Sequence, residues 1–261
     1  MIVDSHCHLN NVHLLADVEG VILRAKNAGV GILNTICTKL SDIEEIKKIS
    51  EQYDNVFYSV GIHPHEVATD GVLNVAQIIE LTKHHKVKGI GETGLDYYYE
   101  HSDRALQKLS FINHIKAARQ AKLPLIIHTR DADQDMEEIL SAENKDGEFS
   151  GVMHCFTSTK RLAHKALDLG LYISISGIVT FKNATHVQEL AKLIPLDRLL
   201  LETDAPYLAP NPVRGKTNEP SFITHTTKFV ATLLNVKQEV LEEATTTNFC
   251  TLFNVSGHTK S

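Results

Sequence analysis

A chain of 261 residues, 43% apolar and 22% charged, has the make-up of an ordinary globular protein, long enough to bury a large core. Its formal charge of −6 excludes a protein that coats nucleic acid through many phosphate-neutralising cations, but leaves room for a small basic mouth on an acidic body. No apolar run reaches spanning length and no basic-then-apolar leader precedes Met1-Ile2-Val3, while Cys7, Cys37, Cys155 and Cys250 form no C-x-x-C pair, so the expectation is a cytoplasmic, non-membrane protein with free thiols.

The chain opens on a β-branched strand, Ile2-Val3, that runs into Asp4-Ser5-His6-Cys7-His8. Alternation along a strand puts His6 and His8 on one face, about 7 Å apart, with Cys7 on the other. Two such imidazoles can reach one cation with bonds of about 2 Å; by itself the tripeptide fits two hydrogen-bonded histidines equally well. Helical apolar spacing (Val18, Val21, Ile22, Ala25) covers residues 14–27 and stops at Gly29, and a strand is expected over 30–37. Ser41-Asp42-Ile43-Glu44 resembles a capping box opening a helix to Tyr53, and residues 56–60 form a third strand leading to Gly61-Ile62-His63-Pro64-His65.

A helix over 72–84 precedes a fourth strand at 87–91 that ends on Glu92, and a long amphipathic helix covers 103–122. A fifth strand, 125–128, follows Pro124 and ends on His128. After a helix over 133–142 comes a sixth strand, 151–154, ending on His154; then a helix over 160–169, a seventh strand at 172–176, a helix over 187–194, and an eighth strand, 199–204, ending on Asp204. A Pro-rich loop and helices over 222–234 and 238–249 close the chain. Continuous apolar strands, each followed by a helix, mean a parallel sheet covered on its outer face. The expected fold is α/β, a single-domain (β/α)8 TIM barrel over residues 1–261, with an open doubly wound sheet as the alternative.

His6, His8, Glu92, His128, His154 and Asp204 all fall where strands end. In a parallel barrel those ends meet at one face, the face that carries active sites. Four imidazoles and two carboxylates exceed what one tetrahedral ion takes, whereas two ions sharing a carboxylate use them all, with the centrally placed Glu92 as the natural bridge. The N/O donor set suits Mg²⁺, Mn²⁺ or Zn²⁺. Cys7 and Cys155 adjoin candidate ligands but should face away by strand alternation.

These motifs, together with Gly91-Glu92-Thr93-Gly94-Leu95-Asp96-Tyr97, Leu123-Pro124-Leu125-Ile126-Ile127-His128-Thr129-Arg130-Asp131-Ala132, His154-Cys155-Phe156, Glu202-Thr203-Asp204-Ala205-Pro206-Tyr207-Leu208 and Arg214-Gly215-Lys216-Thr217-Asn218-Glu219-Pro220, resemble the TatD family of metal-dependent deoxyribonucleases, a branch of the metallo-dependent, amidohydrolase-like barrels. The resemblance covers almost the whole chain. It implies that His6, His8 and Asp204 hold one ion, that His128 and His154 hold the other, that Glu92 bridges them, and that the enzyme is a 3′-exonuclease on DNA, with abasic-site cleavage as a further possibility.

The expected chemistry is phosphodiester hydrolysis by a water activated between two cations, with Asp204 accepting its proton. His63 is a candidate to contact the phosphate or support a ligand, against the plainer role of shaping the Gly-Ile-His-Pro turn. Arg130 could fork onto a phosphate or simply pair with Asp131 or Asp133. Lys160, Arg161, Lys182, Arg214 and Lys216 could make a basic rim or be solvated surface charges. An unpaired base could stack on Tyr97, Tyr98 or Tyr99, or these could be loop packing; Asn218 could touch substrate or anchor its loop. A monomer acting on single-stranded DNA or 3′ ends is expected. The competing enzyme reading is a hydrolase of C–N or carboxylic ester bonds, and the competing non-enzyme reading is a metal-binding interaction protein.

Overall fold

In the computed structural model, which describes residues 1–256, eight parallel strands follow one another around the sheet in sequence order. They are β1 (Ile2–Cys7), β2 (Val30–Thr35), β3 (Val56–Val60), β4 (Val87–Asp96), β5 (Leu125–Arg130), β6 (Gly151–Met153), β7 (Tyr172–Ile175) and β8 (Leu199–Leu201). The ring closes between its last and first members by a parallel bridge of Cys7 with Ala205; the Asp204 N–H donates to His6 O (2.9 Å) and the His8 N–H to Ala205 O (2.8 Å). This is the (β/α)8 barrel expected from the alternation of apolar runs and amphipathic segments, in one domain.

The helices are α1 (Val12–Leu15), α2 (Val18–Asn27), α3 (Ile43–Gln52), α4 (Val67–Asp70), α5 (Val75–Leu81), α6 (Arg104–Ala121), α7 (Asp133–Lys145), α8 (Lys160–Asp168), α9 (Thr185–Leu193), α10 (Ile223–Leu234) and α11 (Gln238–Phe253). Several begin on a side-chain cap: Asp103 accepts from Ala105 and Leu106 before α6, Thr159 from Leu162 before α8, and Asn74 forms a capping box with Gln77 before α5. The apolar stripe expected over 14–27 is interrupted, because the chain breaks between α1 and α2 around Ala16-Asp17.

The main apolar core joins the strands to the helices around them. A second cluster, Val3, Ile32, Ile126, Val152 and Leu200 with Phe249, Leu252 and Phe253, brings α11 onto strand residues remote from Glu92. At Gly89 a Cβ would stand 3.2 Å from the Phe253 ring, so the glycine lets that helix approach. The opposite end of the barrel is left for polar residues.

The strand that departs most from expectation is β4, which continues past Glu92 to Asp96, while β8, expected to reach Asp204, ends at Leu201. The register of β4 against β5 shifts between Ile90 and Thr93, and Gly91 and Gly94 both take positive φ with their Cα atoms against the β5 backbone; a Cβ at Gly94 would collide with His128 O at 2.0 Å. The extension delivers a second carboxylate, Asp96, to the polar end.

Candidate metal centre

The six residues singled out at strand ends come together in one pocket or in its walls, and the two oxygens of Glu92 divide them into two groups. Around Oε2 stands His6 Nε2 at 3.3 Å; His6 Nε2 is 3.3 Å from His8 Nε2, and Asp204 Oδ1 is 3.6 and 3.3 Å from those two nitrogens. Around Oε1 stand His154 Nε2 at 2.8 Å and His128 Nδ1 at 3.1 Å, themselves 3.4 Å apart. Donor atoms on one ion with bonds of about 2.0–2.1 Å lie about 3.0 Å apart in an octahedron and about 3.4 Å apart in a tetrahedron. Both groups have that spacing.

Hydrogen bonds on the far side of each ring decide where its lone pair points. His8 Nδ1 donates to Ile36 O (3.3 Å), His154 Nδ1 to Glu202 Oε1 (3.3 Å) and His128 Nε2 to Asp96 Oδ2 (3.0 Å), so in the neutral rings the nitrogen facing Glu92 or Asp204 is the unprotonated one. This is the arrangement in which a histidine ligates a metal. The buried Nδ1 of His6 has no protein acceptor among the described residues.

His63 is different. Its Nε2 is 3.4 Å from Glu92 Oε1, within reach of the second group, but its Nδ1 accepts the N–H of His65 at 3.1 Å. A neutral imidazole has only one acceptor nitrogen, so Nε2 carries the proton and is a donor, not a metal ligand. Burial pushes its pKa down to about 4, which keeps the ring neutral. The strand end that carries it is held by His114 of α6, whose Nε2 accepts from Ile62 N–H (3.2 Å) and whose Nδ1 donates to Ser110 O (2.7 Å).

The electrostatics follow from enclosure. Burial favours a protonated Glu92, yet the histidines around it, His154 first among them, outweigh burial and hold its carboxyl well below the usual range. Burial likewise works against the charged form of Asp204, and the bond from His8 with the charges of His6 and His8 outweighs it, lowering that carboxyl. For His154 burial lowers and the Glu92 and Glu202 carboxylates raise, and the carboxylates win by a wide margin. Asp204 has a positive φ of 55°, a conformation Asp tolerates better than most residues, which turns its side chain over the end of β1.

Several expectations are corrected. Tyr97 is outside the pocket: its hydroxyl donates to Asp135 at 2.5 Å and Arg104 covers its ring. Asn218 is fully buried and does not line the pocket; its amide bonds Thr203 O (2.9 Å) and Tyr207 O (2.6 Å), so it anchors the loop after β8. Arg130 does line the pocket, and it stacks on Tyr98 and Tyr99 instead of pairing with Asp131 or Asp133. Of the proposed basic rim none lines the pocket; Arg161 pairs with Glu137 at 2.8 Å and Arg214 lies over Phe181, while Lys39, not singled out in the sequence, does line it. Cys7 is buried with its thiol towards Asn34 O, but Cys155 lines the pocket, because at the turn after β6 its φ of 44° breaks strand alternation.

Three carboxylates behind the histidines were not singled out. Asp96 Oδ2 faces His128 Nε2 and His65 Nε2 at 3.0 and 2.9 Å; Glu202 backs His154; Asp4 accepts the Thr203 N–H (2.9 Å) and hydroxyl (2.6 Å), tying β1 to the segment that carries Asp204. A buried acidic residue next to a ligand motif was the available signal for each.

The family described as TatD related DNase matches residues 3–254 of this chain. The "Uncharacterized metal-dependent hydrolase YcfH" of Escherichia coli (strain K12) is 42% identical over 257 residues, 97% of this chain and 96% of that protein. The "Uncharacterized metal-dependent hydrolase YabD" of Bacillus subtilis (strain 168) is 39% identical over 256 residues, 98% of this chain and 100% of that protein. The crystal structure of YJJV, a TatD homolog from Escherichia coli K12, superposes with a TM-score of 0.90 at 26% identity, covering 97% of this chain and 98% of that one. The chain belongs to the TatD-related DNase family of metal-dependent hydrolases, and its His and Glu side chains are positioned to bind metal. No helix among the described residues is long and apolar enough to cross a membrane.

Proposed function

We propose that this protein is a deoxyribonuclease that hydrolyses phosphodiester bonds at single-stranded or frayed 3′ ends of DNA, using two divalent ions, Mg²⁺, Mn²⁺ or Zn²⁺. His6, His8 and Asp204 hold one ion, His128 and His154 the other, and Glu92 bridges them. The observation that carries the reading is the split of Glu92: Oε2 faces His6, while Oε1 faces His128 and His154. When bound, such a pair of ions polarises a phosphoryl oxygen, activates water and neutralises charge on the attacking and leaving oxygens.

The protein's own groups complete the reaction. Asp204, ionised at neutral pH, accepts the proton of the attacking water, and its position between His6 and His8 fixes the face from which that water approaches. His63 Nε2–H donates a hydrogen bond to a phosphate oxygen beside Glu92. Arg130 and Lys39 supply positive charge to the flanking backbone, which suits a strand end entering an acidic body better than a wrapped duplex. Water adds to phosphorus, the P–O bond to the sugar breaks, and the products are a phosphate monoester and a free hydroxyl. The unit that does this is the whole chain, 1–261, acting as a monomer in the cytoplasm; the four free cysteines accord with a reducing compartment.

The test is release of nucleotides from a labelled single-stranded oligonucleotide by chelator-stripped protein resupplied with Mg²⁺, Mn²⁺ or Zn²⁺ in turn, with Glu92→Ala alongside. Metal-restored release that the substitution abolishes is expected. Silence towards DNA with every metal, joined to hydrolysis of an amide or carboxylic ester, would replace the nuclease with an amidohydrolase; binding of metal with no hydrolysis of either class would leave a non-catalytic interaction protein.

A further inference from the structure

We propose that Tyr98, Tyr99 and Arg130 form a base-stacking subsite that takes the unpaired nucleotide next to the cleaved bond, so that a nucleobase, and not the sugar-phosphate chain alone, is part of what the centre recognises. The subsite rests on the phosphodiester reading above. Its position is set by Asp96, the carboxylate at the end of β4. Asp96 Oδ1 accepts the N–H groups of Tyr98 and Tyr99, each at 3.0 Å, and Oδ2 holds His128. The turn that presents the two rings and the imidazole that faces Glu92 are therefore fastened to one buried group, which fixes their offset.

Arg130 comes from the neighbouring strand, two residues beyond His128, with its carbonyl bonded to the Tyr97 N–H at 2.9 Å. Its guanidinium carbon lies 3.9 Å from the Tyr98 ring centroid and 4.8 Å from that of Tyr99. Among the described residues no carboxylate pairs with it, although two aspartates follow closely in sequence, and one of these, Asp133, is taken up by the hydroxyls of Ser158 and Thr159. Tyr98 remains 58% and Tyr99 50% exposed, and Tyr99 lies parallel to His101 at 5.5 Å. Tyr99 and Arg130 line the same pocket as Glu92, His128 and His63, a mouth of about 930 Å³, large enough for a drug-sized ligand such as a nucleotide.

Half-exposed aromatic rings beside a flat cation that no carboxylate neutralises are a combination that binds unpaired nucleotides: a ring stacks on a base without regard to its identity, and the cation takes the adjoining phosphate. A base inside a duplex has both faces covered and cannot use such a platform. The structural alternative is that the cation–π contact only stiffens the turn. That role would be indifferent to whether the substrate carries a base.

The experiment uses metal-loaded protein and a short oligothymidylate whose last linkage is a phosphorothioate and whose 3′-terminal base is 2-aminopurine, a fluorophore quenched on stacking. Wild type is expected to quench it. The double variant Tyr98→Ala, Tyr99→Ala should lose the quenching and bind at least about tenfold more weakly, and Tyr98→Phe, Tyr99→Phe should keep both. Removing the terminal base in favour of a tetrahydrofuran residue should weaken wild type equally, with no further loss in the alanine variant. Undiminished quenching and affinity in the alanine variant, or equal binding of the baseless end by wild type, would overturn the subsite. Quenching by a wild type that releases no nucleotide from ordinary DNA would sustain the subsite while sinking the nuclease, and release without quenching would do the reverse.

Discussion

The two halves of the centre are built from the same residue types but are supported differently. In the half made by β5 and β6, each imidazole leans on a buried carboxylate, His128 on Asp96 and His154 on Glu202. In the half made by β1 and β8, His8 leans on a backbone carbonyl, Ile36 O, and the buried Nδ1 of His6 has no acceptor among the described residues. An anionic partner makes an imidazole the stronger ligand and locks its tautomer. The difference teaches that, on the two-ion reading proposed above, the ions would not be equivalent: the β5/β6 half would be the tight, pre-set one, and the β1/β8 half, which also carries Asp204, the looser one where the proposed chemistry takes place.

The most severe way to break the comparison is to remove what the halves share. Glu92→Ala should abolish the distinction by weakening both ions together and lower activity by more than about a hundredfold, beyond the 10- to 100-fold at which outer partners act; turnover of oligonucleotide and metal content after dialysis are the checks. Asp96→Asn comes next. Its amide presents a donor to His128 Nε2, so the ring flips its proton towards Glu92, and affinity for the β5/β6 ion should fall by about 10- to 100-fold while the other ion is retained. Isothermal titration with Zn²⁺ reads this directly, and equal weakening of both ions would refute the asymmetry.

A gentler probe leaves the sequence alone. Stepwise chelation of the wild type should remove the metal in two phases, activity disappearing with the first because the looser half carries Asp204; a single phase would mean two equivalent sites. The smallest effect lies outside both halves, at the His114 that pins Ile62 beside His63. Burial lowers its pKa from 6.5 to about 4, so between those values the unfolded chain binds a proton that the folded one refuses. Its contribution to stability is complete above about pH 6.5 and is lost as pH falls towards 4. In metal-free protein, His114→Gln should therefore reduce the slope of unfolding free energy against pH in that window by up to about 1 kcal/mol per pH unit, measured by urea denaturation.

The barrel was legible because each strand is a short apolar run and each helix an amphipathic one, and the six polar strand ends were legible because buried strands rarely carry histidine or carboxylate. What stayed hidden depends on contacts through space. Nothing in the residues around Asp96 tells whether its carboxylate caps a turn or faces His128, and it does both because Gly91 and Gly94 let β4 run on beside β5. Tyr97, Tyr98 and Tyr99 are identical to a sequence reader; only the turn set by Asp96 sends the first to Asp135 and leaves the others open. Arg130 has two aspartates close by in sequence and pairs with neither, lying instead over two tyrosine rings. Cys155 reached the pocket through a positive φ that alternation cannot foresee.

Closure of the ring by β1 against the segment after β8 also sets a schedule. Asp4 meets Thr203 and His8 meets Asp204 across about two hundred residues of chain, which a ribosome adding about 5–20 residues per second takes about 10–40 s to make. The histidines that emerge first must wait for the carboxylate that completes their cage, whereas Glu92, His128 and His154 appear within a much shorter stretch. The side chains of the half built on Glu92, His128 and His154 are thus all made well before those of the half that needs Asp204.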